Sequence, residues 1–141
     1  MNLKIGVIAI DPSSPFTGGA VLGDRVRMQE HSLDTSVFIR SVGSRGDLGG
    51  LSSSTSSMIK LFDIFGMDIV IIETVGVGQT ELDIIKISDS VLVTLVPEAG
   101  DGIQAMKAGL MEIGDIFIVN KADRGGAEKL AREIDYMVSL K

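Results

Sequence analysis

The most specific chemistry in the sequence sits in four residues at the end of one apolar run. Asn120-Lys121-Ala122-Asp123 directly follows Ile116-Phe117-Ile118-Val119. An aspartate carboxylate accepts two N–H bonds at once, and the N1–H and 2-amino edge of guanine supplies two where adenine cannot. An asparagine and a lysine beside it can order the loop and cover the ring. The same residues also fit an ordinary strand-to-helix turn with an aspartate near the helix start. A second run, Ile69-Val70-Ile71-Ile72, leads into Glu73-Thr74-Val75-Gly76-Val77-Gly78-Gln79. A carboxylate at the end of a buried strand is costly unless a cation needs it, and Mg2+ with its waters is a natural partner. Gly76 can then bring a backbone N–H up to a terminal phosphate. A carboxylate at a helix N-terminus beside a glycine loop fits these residues as well. Asp11, before Pro12, and Asp24, in Gly23-Asp24-Arg25, offer further oxygens to Mg2+, directly or through water. Each is equally at home as a turn or helix-capping residue.

These residues need elements to hold them. The runs at 5–10, 69–72, 91–96 and 116–119 are rich in Ile and Val and lack polar alternation, so each reads as a strand covered on both faces, with Val37-Phe38-Ile39 a candidate fifth. Between them, 24–33, 58–65, 81–87, 103–113 and 127–140 have helical spacing; Met58, Leu61, Phe62 and Phe65 stand at i, i+3, i+4 and i+7. Strands alternating with helices imply right-handed crossovers, a parallel sheet and a three-layer α/β fold. The Ser/Thr run at 52–57 is placed to cap the helix that follows it. In such sheets a ligand binds beyond the carboxyl ends of the strands, where the glycine-rich loops and all the residues above fall.

Composition narrows the classes. The chain has 141 residues, room for one core, with 45% hydrophobic and 23% charged residues, which excludes a disordered tail. Thirteen Lys+Arg against nineteen Asp+Glu give a net charge of −6, the wrong sign for gripping a nucleic-acid backbone. Without cysteine there is neither a disulfide frame nor a thiolate metal site. His31, the single histidine, lies in a charged stretch and reads as a surface residue. No apolar stretch approaches the ~20 residues of a membrane span, so a cytoplasmic location is expected.

Together, Ile10-Asp11-Pro12-Ser13-Ser14, Thr17-Gly18-Gly19-Ala20-Val21-Leu22-Gly23-Asp24-Arg25, Leu48-Gly49-Gly50-Leu51, Glu73-Thr74-Val75-Gly76-Val77-Gly78-Gln79 and Asn120-Lys121-Ala122-Asp123 resemble the middle of a MeaB/ArgK-type GTPase. This is the methylmalonyl-CoA mutase-associated, or lysine/arginine/ornithine transport kinase, family of P-loop GTPases. The segments follow that family's order over essentially the whole chain. The resemblance implies a P-loop GTPase-like α/β domain with a mostly parallel sheet, GTP and Mg2+ as ligands, and GTP hydrolysis. Asn120, Lys121 and Asp123 would hold guanine; Glu73, Asp24 and Asp11 would serve Mg2+ and the phosphates; Gly76 would sense the γ-phosphate. Segment 17–25 resembles switch I and 75–80 switch II. Segment 97–109 resembles a further switch that answers to a mutase partner, with Asp101, Gln104 and Lys107 as its polar members. Gln79 stands three positions after Gly76, not one, so no residue is assigned to orient the attacking water.

The resemblance further implies a chaperone for a cobalamin-dependent acyl-CoA mutase such as methylmalonyl-CoA mutase, homodimeric when intact. The sequence departs from the family in holding no G-x-x-x-x-G-K-[ST], the loop that cradles β- and γ-phosphates. The family places that loop just before the segment that opens this chain, on a strand lying between those at 69–72 and 91–96. The fifth G-motif and C-terminal helical region are not found either. The whole of 1–141 is therefore expected to be one partial G domain, weak in binding GTP by itself. Two other readings follow from related names: an ATPase or kinase of basic amino-acid transport, which the guanine motif opposes, and a nickel-insertion GTPase, which commonly carries His or Cys ligands.

Overall fold

The computed structural model describes residues 3–11, 28–31, 33–43, 53–74, 81–97 and 109–140. The chain divides into two compact units, Met1–Gly76 and Val77–Lys141. All described strand pairs are parallel, and the class is mixed α/β.

In the first unit, β1 (Ile5–Asp11) lies between β2 (Val37–Gly43) and β3 (Ile69–Thr74). β1 has no polar residue before Asp11, and Ile8, Ala9 and Ile10 are buried. Helix α1 (Ser53–Ile64) places Thr55, Met58, Ile59 and Phe62 on one stripe. Of these, Phe62, Met58 and Ile59 join Ile8, Ile10, Val42, Val70 and Ile72 in one cluster. The fit depends on Gly6: a Cβ there would lie 2.3 Å from the Phe62 ring. With no side chain at that point the helix can press onto the sheet, and Phe38 meets Phe62 edge-on with ring centroids 5.6 Å apart. Burying a ring of this size contributes about 3 kcal/mol.

The second unit begins with a 3-10 turn (Glu81–Lys86), followed by β4 (Leu92–Leu95), α2 (Leu110–Ile113), β5 (Ile116–Val119) and α3 (Ala127–Ser139). β4 and β5 form a two-stranded sheet, Leu92 beside Ile116 and Leu95 beside Val119. Val91, Val93 and Leu95 pack with Leu110 of α2 and with Leu130 and Ile134 of α3, which lie one turn apart on that helix. Gly114 mirrors Gly6, since a Cβ there would come within 2.6 Å of the Phe117 ring.

One device starts both sheets. The Lys4 N–H donates to the Asp68 carboxylate at 2.8 Å, and the Asp68 N–H donates back to the Lys4 carbonyl. Likewise the Val91 N–H donates to the Asp115 carboxylate at 2.8 Å, and the Asp115 N–H returns to the Val91 carbonyl. An aspartate directly before a strand thus fixes where its ladder begins.

Three expectations are corrected. The strands are not all covered on both faces. Only β1 buries successive residues, Ile8, Ala9 and Ile10; on β4 and β5, Leu92, Thr94, Ile116 and Ile118 are exposed while Val93 and Leu95 are buried and Phe117 and Val119 half-buried, and on β3 Ile69 and Ile71 are 44% and 49% exposed. The helices described here cover one face of each sheet, and an unbroken aliphatic run does not reveal which faces are covered. Segment 81–87 forms a 3-10 turn, not an α-helix. It is short, rich in β-branched isoleucine, and stopped where the Ile84 carbonyl accepts from the N–H groups of Ile87 and Ser88 and from the Ser88 hydroxyl. The Ser/Thr run expected as a cap supplies the first turns of α1 itself, from Ser53. Of 24–33 the described part holds only a 3-10 turn, Gln29–His31, in which His31 is exposed; of 103–113 it holds only α2 with Gly109 before it. No described helix is long and apolar enough to cross a membrane.

Candidate functional site

In the first unit the polar groups gather at the carboxyl end of the sheet. Parallel pairing sets Ala9 opposite Ser41 on one side and opposite Glu73 on the other. Both Ser41 Oγ and Glu73 Oε2 are shut off from solvent and have no hydrogen-bond partner among the described residues. Thr55 Oγ1, on the stripe of α1 that faces the sheet, is also buried without a partner. Leaving a buried polar atom unsatisfied costs about 1–3 kcal/mol.

The carboxyl end of β5 is organised differently. The Asn120 N–H donates to the Leu95 carbonyl at 2.9 Å and so carries the β4–β5 ladder one residue beyond the strand. The Asn120 side-chain oxygen accepts the Lys121 N–H at 2.8 Å, and Lys121 takes φ 55, the left-handed region. An L residue held there costs ~1 kcal/mol or more and persists where its surroundings demand it. The Lys121 carbonyl accepts the Arg124 N–H at 3.0 Å, closing a turn that exposes Asn120, Lys121 and Asp123 together. Asp123 has no hydrogen bond or ion pair among the described residues. Gly126, at φ 97, starts α3 with its backbone beside Pro97. The turn is thus fixed by its own backbone and by Asn120, while an acid and a base stand free at its rim.

The sequence matches the profile of the family described as methylmalonyl Co-A mutase-associated GTPase MeaB over residues 2–141. The chain belongs to the MeaB family. It is 57% identical over 139 residues to a Pyrococcus horikoshii protein named "Putative GTPase PH0274", covering 99% of this chain and 44% of that one. It is 45% identical over 122 residues to the GTPase ArgK of Escherichia coli, covering 86% and 37%. A Caenorhabditis elegans protein named methylmalonic aciduria type A homolog, mitochondrial, is 41% identical over 140 residues, covering 98% and 35%. The chain therefore spans under half the length of the curated relatives it matches.

Set against this family, the expected site residues are placed as follows. Glu73 lies within β3 near its carboxyl end, and Asn120, Lys121 and Asp123 lie in the exposed turn after β5. Asp11 closes β1 beside Gly43 of β2; its side chain lies outside the described residues. Asp24, Gly76, Gln79, Asp101, Gln104 and Lys107 lie outside them as well, with both switch segments. Among the described residues no three His, Asp or Glu side chains converge on one point. Glu73 alone nevertheless fits a Mg2+ ligand shell, because its Oε2 is buried, acidic and unmatched. Two features escaped the sequence reading. Ser41 follows Arg40 in Phe38-Ile39-Arg40-Ser41-Val42, where a lone hydroxyl carried no signal, and Thr55 was submerged in a run of serines.

Proposed function

We propose that the chain is the guanine-recognising part of a single G domain in a GTPase that serves a cobalamin-dependent acyl-CoA mutase. The turn at 120–126 carries this reading: its backbone is closed on itself and on β4, yet Asp123 is exposed and unpaired among the described residues. In this role the Asp123 carboxylate accepts the N1–H and 2-amino hydrogens of guanine. Asn120 holds the turn through the Lys121 N–H, and the Lys121 stem covers the base.

On the phosphate side, Glu73, Asp11 and Asp24 would hold Mg2+, directly or through its waters, and Gly76 would offer its N–H to the γ-phosphate. When bound, Mg2+ supplies positive charge that neutralises the phosphate oxygens. Glu73 contributes a fixed negative charge already withdrawn from water, so it needs no rearrangement as charge shifts during hydrolysis. Segment 97–109, with Asp101, Gln104 and Lys107, transmits the nucleotide state to the mutase. The family's description and the name of the nematode relative support that partner. The intact protein is a cytoplasmic homodimer in this reading.

Calorimetric titration of the full-length protein with GTP and with ATP, each with Mg2+, tests the reading. GTP is expected to bind at least ~100-fold more tightly, the discrimination of a site that hydrogen-bonds a specific edge. Equal affinities would return the chain to the alternative of an ATPase of amino-acid transport.

A further inference from the structure

The row Ser41–Ala9–Glu73 holds more than the one residue assigned to it. Residues paired in register share a face of a sheet, so these three side chains stand on the same side. Thr55 takes no part, because α1 covers the opposite face, that of Ile8 and Ile10. The outer two members are two strands apart, ~10 Å between Cα atoms. Between them Ala9, 1% exposed, contributes only a methyl group, which leaves the floor of the row low. Among the described residues, neither Ser41 Oγ nor Glu73 Oε2 bonds to the other or to any other group.

The chemistry of the missing partner follows from the donor inventory. A carboxylate only accepts hydrogen bonds, whereas a serine hydroxyl can accept as well as donate. The group between them must therefore present a hydrogen to Glu73 Oε2, while Ser41 Oγ can either accept one or donate its own. Water bound to a divalent cation does so, since its lone pair is committed to the metal and both hydrogens point outward. Mg2+ in particular keeps several waters when it binds to proteins. An apolar ligand would leave both oxygens unmatched, and an anion would meet Glu73 with like charge.

We propose that Ser41 is a positioning residue for the divalent cation of the nucleotide site: its hydroxyl and the Glu73 carboxylate hold, across Ala9, the water shell of that cation. This rests on the GTPase reading above. Ser41 touches neither nucleotide nor metal and acts through the water it shares with Glu73. Its hydroxyl is thus an unmet cost in the metal-free protein and an asset in the loaded one.

Mn2+ affinity, read from the free-ion electron paramagnetic resonance signal of the full-length protein with GDP, provides the test. Ser41→Ala is expected to weaken Mn2+ binding about five- to tenfold, the effect of one hydrogen bond, while Ser41→Thr retains it. Glu73→Gln is expected to weaken it at least as much. Without nucleotide or metal, Ser41→Ala should melt no lower than the parent protein, because it removes a buried hydroxyl that has no partner; a purely structural serine would lower the melting temperature. Unchanged Mn2+ affinity in Ser41→Ala, with a loss in Glu73→Gln, overturns the role of Ser41 and leaves the GTPase reading in place. Unchanged affinity in both variants, or no nucleotide-dependent Mn2+ binding in the parent, overturns the reading along with the proposal.

Discussion

The two sheets begin alike and end differently. Each opens with an aspartate that exchanges two hydrogen bonds with one backbone residue, Asp68 with Lys4 and Asp115 with Val91. Each also has a glycine, Gly6 or Gly114, that leaves room for a phenylalanine ring. At the carboxyl ends the likeness stops. The first sheet ends in buried oxygens without partners among the described residues, whereas the second ends in a turn whose backbone is bonded and where Asn120, Lys121 and Asp123 are exposed. In the proposed function the difference matches what each part of the ligand demands. A cation and its waters complete a polar seat that is unsatisfied by itself. A base edge is instead read by side chains held at a rim, and for that the rim must be rigid before the base arrives.

Five substitutions, grouped in four comparisons, probe this contrast in order of expected effect. Glu73→Ala in the full-length protein should lower GTP turnover ~100- to 1000-fold, with GTP binding weakened less than tenfold, because the carboxylate serves charge that develops during hydrolysis. Turnover that survives intact in single-turnover kinetics would make Glu73 a structural residue and erase the difference between the two ends. Next, Gly6→Ala should lower the free energy of unfolding by about 1–3 kcal/mol in urea melts, since the added methyl meets the buried Phe62 ring. A neutral result would mean that α1 is free to shift and that the core of the first unit is looser than the geometry implies.

The aspartate latches sharpen the comparison at the other end of the sheets. Asp115 bonds in a partly buried setting and Asp68 in an exposed one. Removing a hydrogen bond to a charged group costs about 1.5–3 kcal/mol where it is sheltered from water, so Asp115→Ala should destabilise more than Asp68→Ala. The reverse order would show that exposure does not govern these bonds. The smallest effect concerns Asp34, whose carboxyl is held below the usual carboxylate range by the Ser36 hydroxyl and then by the Ser36 N–H. A lowered folded-state value means that its contribution is present above the unfolded-state value and fades as pH falls through the folded one. Melting temperatures of Asp34→Asn and the parent should therefore differ at neutral pH and converge as acid is added below about pH 4. A gap that persists in acid would assign the effect to something other than this carboxylate.

Much of this could be read from residues alone. Short runs rich in Ile and Val located all five described strands, because aliphatic β-branched runs of that length have few other uses. The Met58 and Phe62 spacing located α1, and Leu130 with Ile134 fits the helical period of α3. The guanine motif proposed after β5 could be named from the sequence because its residues are consecutive. Ser41 could not, because its meaning arises only when parallel register places it one strand from Ala9 and two from Glu73, some thirty residues away in sequence on either side. Coverage of the strand faces was also hidden: a run such as Ile116-Phe117-Ile118-Val119 is equally apolar on both sides, although only Phe117 and Val119 join the core.

Swapping the base-reading acid for its amide tests the central claim most directly. An asparagine at 123 can donate to the 2-oxo group of xanthine, which the carboxylate would repel, and it no longer accepts both hydrogens of guanine. In the full-length protein, Asp123→Asn is therefore predicted to lose GTP affinity by ~100-fold or more and to gain affinity for xanthosine triphosphate, with its fold unchanged because Asp123 is exposed. An unaltered preference between the two nucleotides would contradict the account.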